Sequence, residues 1–411
     1  MKNALNTPVA DGITRREGLL TLLGSALALA GCGGGGGGVA GVSSGGTGSF
    51  SAGPITGFGS IIVNGIRFED QSASIVDDDG APMDRSRLKL GMLTTVKGSK
   101  TTTTGASTTA TATSIVVGGE LQGPISSISA ATANPRTLVI LGQTVEITGS
   151  TIFDTSIPGG FQSLAVGDIL EVHGVLDPAA NRMQATFIEK KNAPNIFKIQ
   201  GIASGHNATT KTFAIGSIQI SYLTTPADEV RITPADGTLV RVRVQAQTPA
   251  PAVWTATRIR PPENANEDRD EADVEGIITA RGASFTSFSV AGIPVDASGA
   301  NVRFDDGTAG IVLGARVRVK GRLSGGVLIA ERVRIEDNNE VNNLEFELHG
   351  TVSNLTPTTF TLTSSGGLAI EVTYSGPVAG LSNGSRIEVK GTASDPTNAS
   401  TRIVATRISF E

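Results

Sequence analysis

An eleven-residue phrase, Leu-x-x-Gly-x-x-φ-x-φ-x-Gly with φ an apolar residue, recurs along this chain and restricts it to a tandem of small modules. The phrase runs over 88–98, 164–174 and 381–391, opens on Ile at 311–321, and has a degenerate copy at 234–244. Its first glycine falls at Gly91, Gly167, Gly237, Gly314 and Gly384, in steps of 76, 70, 77 and 70 residues. A fixed period of this size marks repeated supersecondary units.

The surroundings of each copy read as strands. A short start precedes each phrase, at Gly57-Phe58, Gly123-Pro124-Ile125, Gly201-Ile202, Gly276-Ile277 and Gly350-Thr351-Val352. Alternating pairs about a central glycine follow, clearest at 213–220 and 288–295, and predict half-buried hairpins. The phrase supplies a fourth strand, as at 315–321, where the valines point to a core and Arg316, Arg318 and Lys320 face water. A fifth strand closes each unit at 113–116, 186–188, 257–259, 331–333 and 406–408. Five short strands with polar outer faces suit a closed barrel, because closure removes exposed edges. The expectation is an all-β chain: five small OB-like, five-stranded barrels at 53–118, 119–192, 196–262, 272–337 and 344–411, with linkers at 263–271 and 338–343.

The order of these elements, and above all the phrase strand followed by an Ala/Thr-containing last strand, resembles the tandem modules of bacterial exported lipoproteins classed as domain of unknown function 5666. It is also similar to the wider OB-fold-like barrels of bacteria. The resemblance covers about 53–411 and rests on glycine and apolar positions. It implies a fold and an exported setting and carries no activity.

Aromatic residues number only 17 against 52 glycines, so each module folds around Val, Ile, Leu and one or two Phe. A module of ~70 residues buries only about 60% of its unfolded surface and is marginal alone. Neighbours are expected to lend stability, although the acidic connectors argue against one fused core.

The first 31 residues read as a lipoprotein signal peptide. Lys2, Arg15 and Arg16 give a basic start, 18–30 is apolar, and Leu29-Ala30-Gly31-Cys32 has the form cleaved before a lipidated cysteine. Thirteen apolar residues are too few to span a bilayer. Arg15-Arg16 also resembles a twin-arginine export signal, with Gly18 where that motif prefers Phe, so the export route stays open. Cys32 is the only cysteine, which leaves no disulfide. The Gly/Ser-rich stretch to residue 52 reads as a flexible tether. Gly33 is not the Asp of an inner-membrane retention signal, which favours the outer membrane. Without the leader, 30 basic and 36 acidic side chains remain, a net charge of −6 that has no long-range pull toward nucleic acid.

The acidic stretches 261–275 and 336–347 read as solvated linkers, with a weak divalent-cation site as the alternative, and 101–114 as a low-complexity loop. Asp77-Asp78-Asp79-Gly80 and Asp305-Asp306-Gly307 read as ordinary Asp-Gly turns, since neither alternates carboxylates as a Ca²⁺ loop does.

Catalytic motifs do not emerge. No Gly-x-Ser-x-Gly elbow joins two apolar elements, and no phosphate loop is present. His173, His206 and His349 have no second ligand at metal spacing, so no metal or cofactor is expected. One column does repeat: Lys97, His173, Arg243, Lys320 and Lys390 stand just before the last position of the phrase, a water-facing strand place that would present one cation per barrel. Three functions remain open. The first is a lipid-anchored, non-catalytic binding or scaffold protein of the envelope, with a protein partner. The second is a binder of envelope carbohydrate or anionic polymer through that column. The third is a hydrolase with a site between modules.

Overall fold

The computed structural model describes residues 48–105, 107–119, 121–262, 267–336, 344–394 and 400–411. Cys32, Arg15, Arg16 and the linker at 338–343 lie outside the described residues. Among the described residues every regular element is a strand or a short 3-10 turn.

The first module contains β1 (Ser49–Phe58), β2 (Ile61–Val63), β3 (Ile66–Glu69), β4 (Ser74–Asp77), β5 (Leu93–Gly98), β6 (Thr102–Thr104) and β7 (Ser107–Val117). Its pairings run β1–β2–β3–β7–β5 and back to β1, with β3–β7 parallel and the rest antiparallel. That is a closed barrel with no free edge in the ring. β6 and β7 replace the loop expected over 101–114, because its alternating Thr and Ala residues pair as an extension of the hairpin.

The second module repeats the cycle with β8 (Leu121–Ile128), β9 (Arg136–Ile140), β10 (Gln143–Ile147), β12 (Ile169–Asp177) and β13 (Arg182–Lys190), and adds the short β11 (Ile152–Phe153). The third uses β14 (Ile196–Asn207), β15 (Thr212–Ile215), β16 (Ile218–Ser221), β17 (Leu239–Gln245) and β18 (Val253–Arg260). The fourth has β19 (Arg269–Arg281), β20 (Ser287–Val290), β21 (Ile293–Asp296), β23 (Arg316–Ser324) and β24 (Val327–Ile335), with the short β22 (Arg303–Phe304). The fifth has β25 (Glu345–Ser353), β26 (Thr359–Thr363), β27 (Ala369–Thr373), β28 (Arg386–Ala393) and β29 (Ile403–Phe410).

The recurring phrase now has a physical reason. Its first glycine takes a left-handed φ in every copy, 79, 93, 83, 80 and 90°, where a Cβ would be strained. There its N–H returns to the first strand of the same barrel: Gly91 to Ile55 O at 2.8 Å, Gly167 to Ile125 O at 2.8 Å, Gly237 to Ala203 O at 2.9 Å, Gly314 to Ile278 O at 3.0 Å and Gly384 to Val352 O at 2.8 Å. The closing glycine sits at a β-bulge against the fifth strand, where a Cβ at Gly321 would come within 2.0 Å of Ile329 O and one at Gly391 within 2.4 Å of Val404 O. In the degenerate copy the same bulge falls at Val244, which is buried in the core.

The barrels are not separate beads. β1 pairs in parallel with β19 of the fourth barrel, Ser49 to Glu271 through Ala52 to Val274, and with β25 of the fifth. One hydrophobic cluster is shared by the second and third barrels and another by the first and fifth, which also takes in Ile152 and Phe187 of the second. Phe50 joins the core of the fourth. No single core runs through the chain: the fourth barrel, flanked by both acidic connectors, keeps a cluster of its own, as expected, while the other barrels share theirs in pairs. The reading of 261–275 as a solvated linker is what fails: within its described part, residues 269–275 belong to β19, and its carboxylates are tied down. Glu267 pairs with Lys97 at 3.1 Å, Asp270 with Lys100 at 2.6 Å, and Glu271 accepts from the Thr101 N–H at 2.9 Å.

Candidate anion-binding groove on the third barrel

Strand alternation puts Ile199, Val240, Val242 and Ile259 in the core of the third barrel and sends the residues between them outward. Outward on β14 are Lys198 and Gln200, on β17 Arg241 and Arg243, on β18 Arg258 and Arg260. The register sets Arg243 opposite both Lys198 and Arg258, and Arg241 opposite both Gln200 and Arg260. Like charges directly opposite one another destabilise a sheet, so this face requires anions.

Carboxylates from three directions meet part of that requirement. Asp78, from the turn after β4, receives Lys198 Nζ at 3.1 Å and Arg243 Nη2 at 3.1 Å. Asp79 takes the other Arg243 nitrogen and Arg258. Glu229, at the end of the 3-10 turn Ala227–Glu229, holds Arg258 through two oxygens at 2.7 and 3.1 Å and Arg260 at 2.7 Å. Glu171 of β12 reaches Lys198 at 3.3 Å and Lys191 at 2.6 Å. The turn is aimed by its own backbone: Asp77 Oδ1 accepts from Asp79 N at 2.9 Å and Ala81 N at 2.8 Å, and Gly80 takes φ 81°. The Asp-Gly turn expected at this place is present, with Asp78 and Asp79 projecting from it into the neighbouring barrel.

The result is a polar groove of about 270 Å³. Its lining adds Arg231 from the loop before β17. Among the described residues the exposed guanidinium of Arg231 makes no hydrogen bond or ion pair. Arg260 is held below the ordinary arginine range, first by burial and then by repulsion from Arg231 and Arg258, against the pull of Glu229. Clustered guanidinium groups are the chemistry that grips carboxylate, sulfate or phosphate, often through two parallel bonds.

Behind the groove the charges are buried. Burial opposes the charge of Glu171, but Lys198, His173 and Lys191 prevail and bring its pKa to about 2. Burial takes His173 down to about 4, and its Nδ1 accepts from the Leu93 N–H at 3.3 Å. Burial also opposes Lys198, yet Glu171 and Asp78 hold its pKa above the usual lysine range.

The predicted cation column does not act as one water-facing surface. His173 and Arg243 are buried, 2 and 8% exposed, because other barrels pack over those strands. Lys97 pairs with Glu267 at 3.1 Å, Lys320 with Asp273 at 3.2 Å, and Lys390 with Glu347 at 3.0 Å. Arg316 was also expected in water and is 3% exposed, paired with Glu275, while Arg318 forms a two-point pair with Asp273 at 2.7 Å. Of the column only Arg243 enters the groove. The signal for the rest was the alternation Arg241-Val242-Arg243 and Arg258-Ile259-Arg260 beside Lys198, read across strands of one module.

The three histidines lie apart. His206 stacks on Tyr222 and shares a 2.7 Å hydrogen bond with its hydroxyl. His349 lies among Glu347, Glu411 and Arg67; burial opposes its charge, but the two carboxylates raise its pKa. Among the described residues two groups come close enough to share a cation, Glu347-His349-Glu388 and Asp77-Asp78-Asp79, and both are already engaged by Arg or Lys side chains; His349 therefore does have carboxylates at ligand spacing, contrary to expectation, because β28 brings Glu388 beside it across the sheet. Trp254 packs edge-on against Phe197 at 5.8 Å inside the core and offers no stacking platform.

The family described as Domain of unknown function (DUF5666) matches residues 122–189 and 275–334. The chain carries DUF5666 domains. These two stretches fall on the second and fourth barrels, each a closed five-strand cycle. No curated protein matches the chain.

Proposed function

We propose that the protein is a lipid-anchored, non-catalytic binding protein of the bacterial envelope that takes up acidic groups of a carbohydrate or other anionic polymer in the groove of the third barrel. The single observation that carries this reading is Arg231, an exposed guanidinium that makes no hydrogen bond or ion pair among the described residues at the rim of a built cationic face. The leader ending before Cys32 and the Arg15-Arg16 pair support export and anchoring, with the outer membrane favoured and no nucleic acid expected there.

The test is binding of labelled dextran sulfate and polygalacturonate to the mature chain in low salt. The expected affinity falls steeply as salt rises, and Arg231→Glu lowers it at least about fivefold. Equal affinity in the variant would refute the reading.

A further inference from the structure

The groove does not end at its cationic floor. A second cavity of about 110 Å³ lies where the first four barrels meet, and two residues wall both spaces: Gln200 and Arg241, which stand opposite each other on β14 and β17. Away from that pair the chamber is apolar, with Phe50, Leu93, Val175, Leu176, Ile277 and Ile293 in its walls. Three of its other polar side chains are used internally. Thr94 Oγ1 donates to Gly53 O at 3.4 Å, Thr279 Oγ1 accepts from the Gly292 N–H at 3.1 Å, and Glu275 holds Arg316. Gln200 differs. It is 8% exposed, and its side-chain amide makes no hydrogen bond among the described residues.

An amide that opens onto accessible space and has no protein partner is free to bond a ligand. It stands at the boundary between a space that favours anions and a space that favours hydrocarbon. We propose that the groove and chamber form one two-part site for an anionic group carrying a short apolar substituent, with the anion on the arginines, the substituent in the chamber and a polar link against Gln200. This inference rests on the groove reading and adds the ligand's second half. The chamber is somewhat smaller than the ~150 Å³ cavity that admits benzene, so the substituent holds about four or five carbon atoms. An O-acyl group on an acidic polymer and a free short-chain organic anion share this chemistry.

Calorimetry on the mature chain tests it with inorganic phosphate and methyl, propyl, butyl and octyl phosphate. Affinity should climb about three- to fourfold per added methylene up to butyl and then level. O-Butyrylated polygalacturonate should bind at least about tenfold more tightly than the unsubstituted polymer if the polymer is the source, whereas a gain confined to the alkyl phosphates identifies a free anion. Ala52→Leu, which fills the chamber, should flatten the series, with its melting curve as the check on folding. Polyanion binding with a flat alkyl series would overturn the two-part site and leave the groove standing. A loss of all anion binding in low salt would remove the groove reading itself.

Discussion

The side-chain amide of Asn64 donates to the carbonyl oxygen of Asp273 at 3.0 Å, across 209 residues of chain. The same nitrogen reaches Ala52 O at 3.0 Å and Ser51 Oγ at 3.2 Å, and Arg318 donates to the Asn64 carbonyl. One hairpin asparagine thus fastens the seam between β1 and β19. Its φ of 53° favours Asn or Gly, so Asn64→Gly removes the amide while tolerating the backbone. The expected cost is about 2 kcal/mol, read from the urea midpoint.

Phrase glycines should differ in tolerance despite their shared φ. A Cβ at Gly384 meets nothing within 4 Å, whereas one at Gly91 comes within 2.3 Å of Thr186 O in the second barrel. Gly384→Ala should cost about 1–2 kcal/mol from φ alone, and Gly91→Ala clearly more, with loosened contact between those barrels. Paired thermal melts of the two variants compare them directly.

Removing an internal counter-charge should strengthen ligand binding and weaken the fold. Asp79→Asn frees Arg243 and Arg258 from one partner. Dextran sulfate affinity in low salt should rise several-fold while stability falls by on the order of 1–3 kcal/mol. A variant that binds no more tightly would show that the ligand bypasses these arginines.

Acid should destabilise the chain through His173. Its folded pKa of about 4 lies below the unfolded value of 6.5, so between those limits the unfolded chain binds more protons and stability falls as pH falls. Glu171 extends the loss from 4.5 down toward 2. His349, with a raised pKa, works in the other direction and loses its contribution as pH rises above 6.5. His173→Gln should flatten the pH dependence between 6.5 and 4 by at most about 3 kcal/mol, measured by denaturant titration at a series of pH values.

The barrel was legible because its constraints are local. The alternation at 213–220 and 288–295 matches the hairpins β15–β16 and β20–β21, and the phrase glycines mark a left-handed turn and a bulge. The packing between barrels was not legible, because it depends on which outer faces meet. Asp78 and Asp79 looked like any solvated turn until Lys198, Arg243 and Arg258 arrived from another module. The stretch 269–275 looked like a linker because its charges were counted without the basic strands they face. His173 shared a column with lysines, yet position in a strand does not say which neighbour covers it.

The parallel pairing of β1 with β19 also sets an order in time. Ser49 and Glu271 become partners only after the second and third barrels have been made between them. Until β19 arrives, Phe50 and one edge of β1 stay uncovered. A linear string of repeats can grow or shrink by one unit at a time; here the loss of any middle unit changes what the first one meets.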